Sequence, residues 1–167
     1  MNRYLIVETA FGYSAVAFSA EPFKLVANKL PTSDLDGLCR PFDEAYWRID
    51  NNHPEVLKVG SMLVRYFSGE QIDIPWPVMD LSRFTPSQQA VYRAVAKIAY
   101  GETASYGQVA RFAGFPRAAR FVGTTMANNP YPVFIPCHRV IKSDGSPGLF
   151  GGGESLKARM LALEAAL

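Results

Sequence analysis

The sequence contains few of the residues that build disulfide frameworks or metal sites. Only two of its 167 residues are cysteine, Cys39 and Cys137, and only two are histidine, His53 and His138. Two cysteines cannot form a disulfide framework, and the spacing of these four residues does not match a zinc site. We therefore expect a protein of a reducing, intracellular compartment that binds no metal.

Long apolar runs are also missing. No stretch reaches the roughly 20 apolar residues that span a bilayer, and residues 1–8 lack the apolar run and cleavage site of a signal peptide. We expect no membrane partner and a cytoplasmic or nucleoid-associated protein, nuclear if the source is a eukaryote. The hydrophobic fraction of 49% and the charged fraction of 19% are typical of a globular chain with a real core.

The net charge of +2 hides an uneven distribution. Residues 1–85 contain 8 Lys or Arg against 11 Asp or Glu, whereas residues 86–140 contain 6 basic residues against 1 acidic residue. A basic segment in an otherwise neutral chain favours a polyanionic partner. A solvated surface would carry the same charges, so the distribution alone does not decide between the two.

Residues 1–80 predict a small N-terminal α+β domain, built of an antiparallel sheet plus a helix. Residues 4–9 and 13–19 are rich in β-branched and aromatic residues and flank a turn, which predicts a hairpin, and residues 24–30 offer a third strand. Residues 31–53 lose this periodicity and predict loops. Apolar residues recur at helical spacing from Pro54 to Phe67.

Residues 81–167 predict a mostly helical second domain with a helix-turn-helix. Thr85 to Gln88 and Ser105 to Gln108 are capping boxes that begin two helices. A third helix is predicted from about Arg117 to Asn128, and the second of two such short helices would face DNA. Many helical hairpins with this spacing bind nothing, so the motif is weak evidence alone.

The end of the chain predicts a short strand and a last helix around one unusual hexapeptide. Val133 to Ile135 reads as an apolar strand, and a helix begins near Glu154. Between them lies Ile135-Pro136-Cys137-His138-Arg139-Val140. A thiol reacts as a thiolate, and a neighbouring imidazole or cation lowers its pKa. A buried structural cysteine is the alternative, and the residues alone leave both readings open.

These motifs occur in the order and spacing of a known family. The region from about Leu81 to Glu164 resembles the O6-alkylguanine-DNA alkyltransferases, also called methylated-DNA–protein-cysteine methyltransferases. The residues that carry the resemblance are Ser105-Tyr106-Gly107, Arg117-Ala118-Ala119-Arg120, Asn129-Pro130, the hexapeptide from Ile135 to Val140, Gly152-Gly153, Lys157 and Glu164. Residues before Leu81 match only loosely a variable N-terminal domain.

The resemblance implies direct DNA repair by an enzyme that reacts once. Cys137 would take an alkyl group irreversibly from O6 of a flipped guanine, with O4 of thymine as a further candidate substrate. His138 would act as the base through an ordered water, Glu164 would orient it, Tyr106 would donate to the leaving guanine, and Asn129 would brace the turn. The implied protein needs no cofactor, binds double-stranded DNA in the minor groove and is a monomer.

The resemblance also implies a DNA surface and a pocket. Arg120 would fill the gap that the flipped nucleotide leaves in the base stack. The other residues implied to contact DNA are Tyr106, Ala119, Phe121, Gly123, Thr124 and Arg139. The implied pocket residues are Pro132, Phe150, Gly151 and Lys157. Phe121, Thr124 and Phe150 depart from what the family commonly has at these positions.

Three other functions are compatible with parts of the sequence. The first is a damage-recognition protein that flips alkylguanine without transfer, but relatives of that kind replace the cysteine with tryptophan. The second is a helix-turn-helix regulator, which would prefer a sequence in undamaged DNA and would not depend on Cys137. The third is a Cys-His hydrolase of another fold, which would leave the basic helix unexplained.

Overall fold

Residues 2–166 are described by a computed structural model, in which a four-stranded sheet, a two-stranded sheet and six α-helices combine. The α+β fold class predicted from the sequence is confirmed. The chain divides into two compact units between Asp80 and Leu81. No helix within residues 2–166 is long and apolar enough to cross a membrane.

The first unit is built on a mixed sheet with the strand order β3-β2-β1-β4. Strands β1 (Asn2–Thr9), β2 (Gly12–Ala20) and β3 (Phe23–Asn28) are antiparallel neighbours, and β4 (Trp47–Ile49) pairs parallel to β1. Gly12 is needed at the first turn, because its φ is +121° and a Cβ there would lie 2.7 Å from a backbone oxygen. The predicted hairpin and third strand are therefore present.

Two helices accompany this sheet. Helix α2 (Pro54–Phe67) has the predicted bounds and packs on β1, where Gly60 allows the close approach. Residues 31–53 were expected to be loops, but they contain α1 (Leu35–Cys39) as well as β4. Both elements are too short to show periodicity. The single turn of α1 depends instead on a cap, since the Asp34 carboxylate accepts from Gly37 N at 2.9 Å.

The second unit is mostly helical. Its four helices are α3 (Pro86–Ala96), α4 (Tyr106–Phe112), α5 (Ala119–Ala127) and α6 (Gly153–Ala165). Both predicted capping boxes are present, at the starts of α3 and α4. Helix α5 is slightly shorter than predicted at both ends. Helices α4 and α5 pack together as the helical pair that the sequence indicated.

The predicted strand from Val133 to Ile135 is wrong. These residues form turns, and Val133 has a φ of 77°, which a strand cannot contain and a β-branched residue rarely adopts. The second unit instead contains a short parallel pair, β5 (Ala104–Ser105) with β6 (Val140–Ile141). This pair joins the start of α4 to the segment that follows the cysteine.

Candidate active site

A cavity of about 520 Å³ lies in the second unit, and Cys137 is part of its lining. One wall comes from α4 and α5 and consists of Tyr106, Ala119, Arg120, Gly123, Met126 and Ala127. The other wall follows β6 and consists of Lys142, Gly148, Leu149, Phe150 and Gly151. Most of the lining is apolar, which is typical of a site for a small organic group.

The thiol of Cys137 is held at this cavity in a nearly buried position. Cys137 begins a 3-10 turn that ends at Arg139, and the residue is 7% exposed. Burial raises the pKa of the thiol, and the hydrogen bond from Asn129 and the charge of Lys157 only partly oppose this. The cysteine is therefore a protonated thiol at rest, and it needs a base before it can act as a nucleophile.

His138 and Glu164 form a buried pair beside the cysteine. The distance between His138 Nε2 and Glu164 Oε1 is 2.7 Å, and neither side chain is exposed. Burial lowers the pKa of His138, while the hydrogen bond and charge of Glu164 act in the opposite direction. The ring is therefore neutral at neutral pH and can accept a proton, and Glu164 would then stabilise the imidazolium.

Arg139, expected to contact DNA, pairs with the same carboxylate. Its guanidinium donates to Glu164 from Nε at 3.0 and 3.1 Å and from a terminal nitrogen at 2.8 Å, and also to Ile98 O at 2.7 Å. Burial alone would raise the pKa of Glu164, but the hydrogen bonds from His138 and Arg139 lower it to about 2. Because the His138 ring is neutral, Arg139 is the cation that balances the negative charge of Glu164.

Asn129 braces the turn that delivers the cysteine. Its amide nitrogen donates to Ile135 O at 2.9 Å, and its amide oxygen accepts from Tyr131 N at 3.0 Å. The side chain thus joins the end of α5 to the backbone two residues before Cys137. These bonds hold the segment that includes the positive φ of Val133, a conformation that persists only when its surroundings fix it.

Some residues of α5 line the cavity, whereas others make contacts away from it. Arg120 is exposed, and Ala119 and Gly123 line the cavity, where a Cβ on Gly123 would lie 4.0 Å from the Tyr106 ring. Thr124 is exposed, but its hydroxyl donates to the backbone oxygen of Arg120 at 3.1 Å. Phe121 lies edge-on to Phe115, with ring centroids 6.4 Å apart.

Comparisons with known proteins point to one family. Residues 86–166 match the family model of the 6-O-methylguanine DNA methyltransferase DNA-binding domain. The chain is 46% identical to the methylated-DNA–protein-cysteine methyltransferase of Mus musculus over 89 residues, which are 53% of this chain and 41% of that protein. It is 38% identical to the constitutive enzyme of Bacillus subtilis over 112 residues, which are 66% of this chain and 67% of that protein.

Solved structures extend the likeness to both units. The crystal structure of Mycobacterium tuberculosis O6-methylguanine methyltransferase is 32% identical with a TM-score of 0.78, and the match covers 99% of this chain and 94% of that one. The chain belongs to the methylated-DNA–protein-cysteine methyltransferase family. The resemblance inferred from the sequence is thereby confirmed. The chain nevertheless spans only about two fifths of the length of the rodent family members it matches.

In this member of the methyltransferase family, Lys157 lies behind the cavity wall and not in it. The side chain is fully buried, and Nζ donates to Val140 O at 2.6 Å and also to Pro147 O. The ammonium lies 5.8 Å from the centre of the Phe150 ring. Lys157 therefore connects the start of β6 to Pro147, the residue before the cavity-lining segment 148–151. Pro132, also predicted to line the pocket, is buried outside the lining.

Five lining residues were not predicted from the sequence. Met126 and Ala127 lie at the end of α5, whereas the residues of this helix predicted to contact DNA end at Thr124. Gly148 and Leu149 precede the predicted Phe150, and Leu149 is 91% exposed, an unusual position for a leucine. Lys142 is the fifth. Leu149 stands next to Phe150 and just before three glycines, and this pattern could have indicated it. Nothing in the sequence indicated Lys142.

Proposed function

We propose that this chain repairs DNA by transferring an alkyl group from O6 of guanine to Sγ of Cys137. The observation that carries the proposal is the thiol at the edge of a cavity of about 520 Å³, next to a buried imidazole–carboxylate pair. Membership of the methyltransferase family supports the same reaction. A solved complex of the Mycobacterium tuberculosis protein with DNA, 31% identical to this chain, supports DNA as the partner.

The alkylated base must leave the duplex before it can reach the thiol. Unstacking and unpairing cost a few kcal/mol. Arg120, which is exposed in the first turn of α5 and borders the cavity, would enter the space left in the stack and offset part of this cost. The minor groove suits such a search, because its degenerate pattern imposes little sequence preference.

The chemical step then needs one proton transfer and one displacement. The thiol proton passes through an ordered water to His138, whose Nε2 contacts Glu164, so Nδ1 receives it. Sγ forms a bond to the alkyl carbon as the bond from that carbon to O6 breaks, and guanine leaves with the electron pair. Tyr106 donates a hydrogen bond to the leaving base. Burial and the nearby Cys137 raise the pKa of Tyr106, which keeps it protonated.

The product explains why each molecule would act once. A thioether is not a leaving group under mild conditions, so Cys137 would stay alkylated. Glu164 and Arg139 would act on the reaction only through His138, which makes Arg139 a positioning residue rather than a DNA contact. We further propose that the protein acts as a monomer on double-stranded DNA. Its cytoplasmic or nucleoid location stays a prediction.

Reaction with free O6-benzylguanine tests the proposal without requiring DNA. After incubation, peptide mapping should find one benzyl group per molecule on Cys137. Cys39→Ser should react like the unmodified chain, whereas Cys137→Ser should not react. A benzyl group on Cys39, or no modification of any peptide, would contradict the proposed function.

A further inference from the structure

Lys142 is a cation at the cavity that the proposed chemistry does not use. It is exposed and belongs to the lining that also contains Cys137 and Arg120. Among the described residues 2–166, Lys142 forms no ion pair within 4 Å. Its ammonium is therefore not committed to a carboxylate of the described chain.

The backbone of Lys142 is fixed by a tight turn. Its N–H donates to Ser146 O at 2.9 Å, and its carbonyl accepts from Gly145 N at 2.9 Å. The buried ammonium of Lys157 holds the residues on either side of this turn, through Val140 O and Pro147 O. These contacts hold the backbone of Lys142 in place, and its exposed side chain extends from that fixed position.

The same turn lies against Tyr106. In the parallel pair of β5 and β6, Ser105 is opposite Ile141, so the next residues along the two strands are Tyr106 and Lys142. At the far end of the turn, a Cβ on Gly148 would lie 2.8 Å from the Tyr106 hydroxyl. Lys142 thus begins the wall that faces Tyr106.

Asp144, two residues after Lys142 in the sequence, is held by its own turn. The Asp144 carboxylate accepts from Ser146 N at 2.9 Å and from Ser146 Oγ at 2.6 Å. These hydrogen bonds, with a smaller effect of Lys142, lower the pKa of Asp144. Asp144 therefore stays ionised and satisfied within the turn, and Lys142 can approach another anion.

We propose that Lys142 binds the backbone phosphate of the extruded nucleotide. A base inside the cavity leaves its sugar and phosphate at the mouth, where Lys142 and Arg120 are the two cationic side chains of the lining. Lysine suits this contact because its ammonium is a compact charge on a flexible stem, which tolerates different directions of approach. This inference rests on the proposed function, since it requires that a nucleotide enters the cavity.

Salt-dependent binding tests the contact directly. Equilibrium binding to a duplex with one O6-methylguanine is measured between about 50 and 200 mM salt, in a Cys137→Ser background that prevents reaction. Loss of one phosphate contact should reduce the slope of log K against log salt by about 0.9. Lys142→Ala should also weaken binding by roughly tenfold at the lowest salt, and Lys142→Arg should restore most of it.

Two controls separate this contact from other effects. Lys58→Ala removes the same charge from an exposed residue of α2 whose partner is Glu55, and it should leave the slope unchanged. With Cys137 intact, Lys142→Ala should slow reaction with the duplex more than reaction with free O6-benzylguanine, because the free base has no phosphate.

The outcomes distinguish the two proposals. An unchanged slope in Lys142→Ala, or equal slowing with the free base and the duplex, would overturn the role of Lys142 and leave alkyl transfer intact. If the unmodified chain does not react with O6-benzylguanine at Cys137, the proposed function fails whatever the salt slope is. A reduced slope in both Lys142→Ala and Lys58→Ala would show a general charge effect and would also overturn the contact.

Discussion

Replacing Arg139 with glutamine should destabilise the second unit by about 3–5 kcal/mol at neutral pH. The carboxylate of Glu164 is fully buried and accepts three hydrogen bonds from Arg139, at 2.8, 3.0 and 3.1 Å. Without the guanidinium, the described contacts that Glu164 keeps are those with His138 at 2.7 Å and Gly101 N at 3.2 Å. Removing one partner of a buried pair leaves an uncompensated charge, which accounts for the size of the effect.

This destabilisation should depend on pH in a defined direction. In the unmodified chain the pKa of Glu164 is about 2, below its ordinary 4.5, so its stabilising contribution is complete above about pH 4.5 and lost as the pH falls further. In Arg139→Gln the pKa of Glu164 should rise, because the hydrogen bonds and charge of Arg139 no longer oppose the effect of burial and only the contact with His138 still does. The variant therefore carries a penalty at neutral pH that disappears when Glu164 becomes protonated. The difference in stability should narrow on acidification.

Urea unfolding followed by circular dichroism measures this difference between about pH 7 and about pH 4.5. The surface pair of Arg65 and Glu70, 50% and 55% exposed at 2.8 Å, provides a control, since Arg65→Gln should cost less than about 1 kcal/mol. Adding Glu164→Gln to Arg139→Gln should recover part of the stability, because both charges are then absent. A loss below about 1 kcal/mol for Arg139→Gln, or a loss that does not change with pH, would refute the reasoning.

Three further predictions concern the cavity and its supports. Gly148→Ala should slow reaction with O6-benzylguanine by roughly tenfold, because its Cβ would lie 2.8 Å from the Tyr106 hydroxyl. Gly145→Ala is the control and should react normally, because Gly145 has a similar φ and nothing lies within 4 Å of its Cβ position. Equal slowing in both variants would count against the contact with Tyr106. Ser105→Ala should cost about 1 kcal/mol in urea unfolding, since its hydroxyl accepts from Gln108 N at 3.1 Å, and no loss would mean that the cap is unimportant. The rate of alkylation should hold down to about pH 6.5 and fall only below it, because burial lowers the pKa of His138 from 6.5; a fall beginning above neutral pH would contradict a neutral imidazole.

The sequence predicted the elements whose signals are local. Helix α2 and the two capping boxes depend on residues within a few positions of one another, and the structure has them where predicted. The short α1 and β4 contain too few residues for periodicity to indicate them. Val133 was misread because an apolar run predicts a strand, whereas the positive φ is imposed by the packing around it.

The candidate site was predictable in its residues but not in its contacts. Glu164 lies 26 positions from His138 and 25 from Arg139, so their pairing depends on how α6 packs against the 3-10 turn. The pattern of the hexapeptide could not show that Arg139 turns inward to that carboxylate. Lys142 likewise becomes part of a cavity only because β6 pairs with β5.

Transfer to a single cysteine is the central claim, and a stoichiometric titration tests it most directly. Limiting protein is mixed with excess duplex that contains one O6-methylguanine, and both the restored guanine and the peptide mass of Cys137 are measured. We expect one guanine restored for each protein molecule, one methyl group on Cys137, and no further reaction. Repeated turnover, methylation of another residue, or tight binding of the duplex without any transfer would contradict the account.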